Sequence, residues 1–208
     1  MFWTIIYAIV LSVVLLLGRI LYVVQNKNGE KKKGNSKYVK TLVILGSGGH
    51  TTEILEIVKN LNFERYRPRI YVYASSDNIS SSKINELETN TKDFETIKIS
   101  RSREVGQSYV TSVWTTIISF KDSVQVVWRV KPDLILCNGP GTCVPICVAA
   151  FLMKLMFLCS TTIIFVESFC RVKTYSLSGK ILCYIANHVI VQWPQLCKST
   201  KNHIHLIK

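Results

Sequence analysis

Apolar residues run from Phe2 to Val24, interrupted chiefly by Thr4, Ser12 and Arg19. A bilayer is crossed by roughly 20 apolar residues in a helix, so this run predicts a membrane anchor over residues 1–24. A cleaved signal peptide would carry a basic segment before the run and a small-x-small site after it, and neither is present. Residues 25–40 are rich in Lys, Asn and Gly and predict a polar linker too charged to bury. From Thr41 the pattern changes to short β-rich apolar runs near 41–46, 69–74, 95–99, 133–137, 161–166 and 188–192, alternating with segments of helical period. That alternation predicts an α/β domain over 41–208, a Rossmann-like parallel sheet with helices on both faces.

Three helical segments carry detail. Over 51–61, Ile54, Leu55, Val58 and Leu61 fall on one face, as a helix lying on a sheet requires. Over 109–130, Val113, Trp114, Ile117, Ile118, Val124, Val127 and Trp128 form a broad stripe that reads as core packing. The segment 142–158 holds only Lys154 as a charge. It fits a sheet-covering helix, a face resting on the membrane, or a short second span. Pro145 suits its first turn.

Charge narrows the partners. The net charge is +13, but seven of the 26 basic residues, Arg19, Lys27, Lys31, Lys32, Lys33, Lys37 and Lys40, lie in or beside the apolar run. Juxtamembrane lysines are attracted to anionic lipid by about 1 kcal/mol each. The balance therefore points to a membrane surface and away from nucleic acid. The same bias places the domain in the cytosol and the N-terminus in the lumen, so the glycosylation sequon Asn78-Ile79-Ser80 should stay bare. The seven cysteines form no CxxC pair and sit mostly in apolar segments. They read as buried free thiols in a reduced compartment. His50, His188, His203 and His205 do not group with them at zinc-like spacing, so no metal is expected.

Two glycine-centred turns carry the candidate chemistry. Gly46-Ser47-Gly48-Gly49-His50 follows the first strand, and Asn138-Gly139-Pro140-Gly141-Thr142 follows the fourth. Glycines let a phosphate approach the backbone, and a helix N-terminus offers free N–H groups, so the two turns predict one phosphate-binding cleft. His50 at a helix start is either a cap or a neutral proton acceptor, since the positive dipole end disfavours imidazolium. Thr142 is a plausible N-cap. The dinucleotide fingerprint fails at Thr51, although Asp77 could imitate a ribose-binding acid, and the P-loop pattern lacks its lysine. Glu167 ends the run TTIIFVES, and Arg171 follows as either its ion-pair partner or a polar rim to the cleft.

These residues together resemble a known family. LVILGSGGHTTEI, CNGPGT, FVES with Arg171, the segment Lys173 to Lys180, and Val191-Gln192-Trp193-Pro194 resemble the membrane-anchoring subunit of the eukaryotic two-chain N-acetylglucosaminyltransferase, over about residues 40–196. The resemblance implies the acceptor-side half of a GT-B glycosyltransferase, related to the bacterial enzyme that makes lipid II. It implies endoplasmic reticulum location, nuclear envelope included, and a role in N-glycosylation: transfer from UDP-N-acetylglucosamine of the second sugar onto dolichol-diphosphate-linked N-acetylglucosamine. A partner chain would supply the donor-binding half, and no cofactor is expected. The cleft would hold the acceptor diphosphate on Ser47, Gly48, Gly49, Asn138, Gly139, Gly141 and Thr142, with His50 as base, Glu167 in reserve and Arg171 at the rim. The domain's length agrees, since residues 41–208 suffice for one Rossmann-like half and not two. The rival readings are a membrane recruiter that lends no group to catalysis and a tethered nucleotide-binding oxidoreductase. The tail QLCKSTKNHIHLIK lacks the acidic and apolar continuation expected of the family, which leaves the last element without a predicted form.

Overall fold

The computed structural model describes residues 1–26, 37–89, 91–100, 109–139, 141–197 and 204–206. Lys27, Lys31, Lys32 and Lys33 of the linker, Pro140, His203, and the side chains of Val113, Trp114 and His205 lie outside the described set.

Helix α1 spans Phe2–Gln25 and is long and apolar enough to cross a membrane. The sheet that follows has seven strands: β1 (Thr41–Ile44), β2 (Arg69–Ala74), β3 (Phe94–Ile99), β4 (Leu134–Asn138), β5 (Thr162–Val166), β6 (His188–Val191) and β7 (Ile204–Leu206). Their order is β3-β2-β1-β4-β5-β6-β7, every pairing is parallel, and Ile44 lies in register with Cys137. The sequence order therefore reverses between β1 and β4. The two strands that precede the glycine turns are neighbours, and their carboxyl ends open side by side at the switch point where ligands bind in such sheets.

The central strands are apolar throughout because both faces are covered. Leu42 and Ile44 point to one core, Val43 and Leu45 to the other. The second core is roofed by α2 (Gly49–Lys59) and α3 (Asn78–Leu87), the first by α4 (Tyr109–Val130), α5 (Cys143–Leu155) and α6 (Leu177–Ile185), with the short α7 (Pro194–Cys197) beside β6. In α2, Ile54, Leu55 and Val58 are buried and Leu61, past its end, is partly so. Each large apolar side chain removed from water contributes roughly 1.5–3 kcal/mol.

Helix α5 resolves the ambiguity of segment 142–158, because nine of its residues are buried against the sheet. It covers the sheet and does not span a bilayer. Helix α4 corrects the packing expectation: Val126, Val127 and Val130 are buried, whereas Ile117, Ile118, Val124 and Trp128 are exposed. The reason is the face turned inward: Ser119 and Ser123 are buried in line with Val126, Val127 and Val130, one turn after another, so the small hydroxyl side chains lie over the core and the bulkier apolar ones beside them lie outside it. The C-terminal tail, without a predicted form, adds β7 to the parallel edge.

At the opposite end of the sheet from the glycine turns lies a buried ion pair. Arg69 donates to Glu88 through Nε and one terminal nitrogen, at 2.6 and 2.7 Å, and Tyr71 donates to the same carboxylate. The remaining guanidinium donors reach the carbonyls of Phe63 and Tyr66. Burial alone would raise the Glu88 pKa, but the Arg69, Thr91 and Tyr71 donors hold it below the ordinary carboxylate value. Burial, with the neighbouring Glu88 carboxylate, pushes the Tyr71 phenol well up.

Because the folded-state pKa of Glu88 is depressed, its contribution is present above the unfolded carboxylate range and lost as pH falls through the folded value. Glu88→Ala strands the Arg69 charge and should lower stability by about 3–5 kcal/mol at neutral pH. Denaturant unfolding as a function of pH should show this loss shrinking in acid; a variant as stable as wild type at pH 7 contradicts the account.

Candidate functional site

The first turn is built for close approach. Gly48 caps α2 at φ +62°, a left-handed conformation that side-chain-bearing residues rarely adopt, and the helix begins at Gly49. Thr51, on the first turn of α2, is buried and donates its hydroxyl to the Gly46 carbonyl at 2.5 Å while meeting Ser80 Oγ at 2.9 Å. Ser80 in turn donates to Asp77, whose carboxylate also caps α3 through the N–H groups of Ile79 and Ser80. Asp77 is thus a helix cap and a brace for the turn, which corrects its reading as a ribose-binding acid.

At the second turn Gly139 adopts φ +58°, and a Cβ there would meet His50 Cε1 at 2.9 Å. His50 Nδ1 lies 3.0 Å from Asn138 Oδ1, and Asn138 Nδ2 donates to Glu53 Oε2 at 2.7 Å. A carboxylate only accepts, so the amide must present its oxygen to His50, and the neutral ring must donate from Nδ1. Nε2 is then the unprotonated nitrogen. The other Glu53 oxygen accepts from Ser168 Oγ at 3.1 Å, which links α2 to the carboxyl ends of both β4 and β5.

Glu167 is fully buried. Its Oε2 accepts from the Ser176 N–H and hydroxyl, at 3.0 and 3.1 Å, and its Oε1 from the Ser168 N–H. Ser176 caps α6 by accepting from the Gly179 N–H, and a Cβ at Gly179 would fall 2.2 Å from Glu167 Oε2. The carboxylate therefore sits under the N-terminus of α6, where the helix dipole favours negative charge.

Between these groups opens a cleft of about 420 Å³, lined by Gly49, His50, Gly139, Glu167 and Arg171 together with Glu53, Ser168, Cys170 and Ser176. The first five were legible in the sequence. Glu53 was not singled out, although a carboxylate three residues after a histidine on a helix is a detectable spacing. Ser168 and Ser176 carry no sequence signal of their own. Ser47, Gly48 and Gly141 are exposed beside the same turns. Arg171 is exposed on the rim while Glu167 faces inward to Ser176, so the rim reading of Arg171 fits and the ion-pair reading does not. Thr142 occupies the N-cap of α5 in helical conformation and makes no side-chain cap bond. Among the described residues, no group of three or more His, Cys, Asp or Glu side chains is placed to hold a metal ion. Cys137, Cys143 and Cys147 cluster behind the second turn, fully buried, with neighbouring thiols and burial keeping each in its neutral form.

A parallel sheet with its switch point between β1 and β4, covered on both faces and opening there into a cleft, defines a Rossmann-like domain, the unit of which each half of a GT-B fold is built. Solved structures of that shape agree. MurG of Acinetobacter baumannii superposes with a TM-score of 0.59 at 12% identity, covering 82% of this chain and 45% of that one. A UDP-N-acetylglucosamine 2-epimerase gives 0.59 at 16% identity, with the chain again spanning about 45% of its length. Residues 41–207 match the family described as "Oligosaccharide biosynthesis protein Alg14 like", and the chain belongs to that family. Proteins named UDP-N-acetylglucosamine transferase subunit ALG14 are similar along most of its length. The Mus musculus protein is 47% identical over 178 residues, 81% of this chain and 82% of its own. The Yarrowia lipolytica protein is 45% identical over 201 residues, covering 94% and 93%. The family match includes the divergent tail as far as residue 207.

Gly139→Ala combines left-handed strain of roughly 1–2 kcal/mol with a direct collision on His50. The variant should fold, keep its helix and strand content, and lose at least tenfold in any activity that depends on His50; unchanged activity would separate the histidine from function. With a thiol reagent in native buffer, exposed Cys170 should react promptly and Cys137, Cys143 and Cys147 only on unfolding, read by mass spectrometry of the alkylated peptides.

Proposed function

We propose that the chain is the membrane-anchored, acceptor-side subunit of a split transferase that adds N-acetylglucosamine from its UDP derivative to a dolichol-diphosphate-linked N-acetylglucosamine. The observation that carries this reading is a switch-point cleft on one Rossmann-like domain, with a helix long enough to span a membrane before it, in a chain that spans most of the length of its relatives. The names of the relatives support it, since each is a transferase subunit. The donor-binding half comes from another chain, and α1 holds the pair at the cytosolic face of the endoplasmic reticulum, where a polyprenyl-linked acceptor is confined. The tethered oxidoreductase finds no support in a turn whose fingerprint position is Thr51 and whose nearby acid, Asp77, serves as a cap.

The reaction is an inverting transfer. The acceptor's 4-hydroxyl oxygen bonds to C1 of the donor sugar, the bond from C1 to the UDP oxygen breaks with its electron pair, and the hydroxyl proton passes to His50 Nε2. His50 is preferred over Glu167 as base because Glu167 is fully buried and its carboxylate already accepts three hydrogen bonds from Ser168 and Ser176. Gly48, Gly49, Gly139, Gly141 and Ser47 supply the diphosphate cradle from backbone N–H groups at two helix starts. Asn138 was expected to touch the diphosphate. With its amide fully buried between His50 and Glu53, we assign it and Glu53 to holding the ring tautomer, while Thr142 orients the α5 end of the cradle. Arg171 on the rim offers a charge to the departing or arriving phosphate.

Membranes carrying this chain and its donor-binding partner should transfer sugar to a diphosphate-lipid acceptor, and membranes with either chain alone should not. His50→Ala should reduce turnover by about 10²–10⁴-fold while co-purification with the partner is retained, as expected for loss of a general base. Normal turnover would leave the chain a recruiter without catalytic groups. Glu53→Ala removes the acceptor that fixes the Asn138 amide and should lower turnover, with a shifted pH profile as the sign of a positioning role. The Asn78 sequon should remain unglycosylated in cells, and a glycosidase-sensitive mass shift would reverse the proposed orientation.

A further inference from the structure

The cytosolic end of α1 does not hang free of the domain. Arg19 donates to the carbonyls of Lys154 and Leu155, at 3.1 and 3.4 Å, and its guanidinium lies 3.8 Å from the centre of the Phe157 ring. Val23, one turn further on, is buried. Phe2 to Gly18 span about 25 Å as a helix, close to the ~30 Å of a hydrocarbon core, so Arg19 falls at the headgroup boundary. Phe157 is therefore at the same depth.

Around that contact the end of α5 is apolar and open: Leu152 is 40% exposed, Met156 58%, Phe157 78% and Leu158 42%. A monomer facing only water has no use for such a cluster beside a membrane helix. Helix α6 packs on α5 and, following a parallel strand on the same face of the sheet, runs parallel to it. It presents Leu177, Ile181 and Tyr184, at positions i, i+4 and i+7, as an exposed apolar stripe. Exposed Lys180 flanks the stripe, and exposed Arg171 and Lys173 precede it, on the loop that reaches the cleft rim. From Leu134 to the C-terminus the sequence holds one acid, the buried Glu167, against seven Lys and Arg. An apolar stripe bordered by cations with no exposed carboxylate fits an anionic lipid surface.

We propose that the α5–α6 face lies along the cytosolic leaflet, with the α5 tip and the α6 stripe in the interfacial zone and the Arg171–Lys173 loop at headgroup level. The occupant of this face is the bilayer, in continuity with α1. The consequence is positional: the open side of the cleft is carried at the height of a lipid-borne diphosphate, which α1 alone would not ensure. The proposal rests on the membrane-anchor reading of α1 and deepens it.

The test uses the full chain reconstituted in phosphatidylcholine–phosphatidylserine vesicles containing a phospholipid with a photoactivatable diazirine near the headgroup end of one acyl chain. Adducts are mapped by peptide mass spectrometry. The expected pattern is labelling of α1, of 152–158 and of 177–184, with none on α3, whose Ile79 is equally exposed at 61% on the opposite face of the sheet. Omitting phosphatidylserine should cut the α6 yield several-fold and leave α1 unchanged. Ile181→Glu with Tyr184→Glu, both at exposed positions, should abolish the α6 adducts alone. Labelled α1 with unlabelled α6 overturns the proposal while the anchor reading stands, and protection of α6 by a second protein chain does the same. Unlabelled α1 overturns both.

Discussion

The site depends on one carboxylate. Glu53, partly buried on α2, accepts from Asn138 at the end of β4 and from Ser168 at the end of β5. Two strand ends are gathered on helix α2 through it, and the orientation it imposes on a single amide decides which nitrogen of His50 is left without a proton. Charge-assisted hydrogen bonds of this kind are roughly twice as strong as neutral ones. The local geometry is over-determined by them: Gly139 has no room for a side chain against the ring, and the ring has no freedom to turn from the amide.

Glu167 performs the corresponding task one strand further along. It secures the loop 168–176 and the start of α6, the wall opposite His50. The cleft therefore has one carboxylate behind each wall, neither exposed as a broad negative surface, and a basic residue only at the rim. An anionic ligand meets backbone N–H groups and Arg171 before it meets either acid.

The fold was largely legible in the chain because a buried parallel strand is apolar along most of its length, and five such runs stood out between polar turns, with the edge strand β3 showing the alternation of a half-exposed one. The glycine turns were legible for a related reason: glycine adopts the positive φ found at Gly48 and Gly139 without the steric cost a side chain brings. What the sequence did not show follows from the same physics. The apolar stripe of α4 looked like core, yet the face turned to the sheet is the one that carries Ser119 and Ser123 with Val126, Val127 and Val130, and two small polar residues hid it from a count of apolar positions. β7 pairs through main-chain groups, so its three residues carried little pattern. Glu53 escaped notice because its importance lies in partners 85 and 115 residues away. Asn138 was read from the sequence as a diphosphate contact, but its amide is buried and turned to His50 and Glu53 by those distant partners and not by its own turn.

The clamp at Arg19 changes what the basic linker is. A segment joined to a free helix end is a leash, whose length fixes how far the domain can wander. Here Arg19 holds the end of α1 against α5, and β1 begins in the same domain, so both ends of the connection from Gln25 to Thr41 are fixed to one body. Closing a longer loop adds only a slowly growing entropic term, about 0.6 kcal/mol per doubling. Insertions there would alter neither the height nor the tilt of the domain, and natural drift in linker length is free to proceed without moving the cleft.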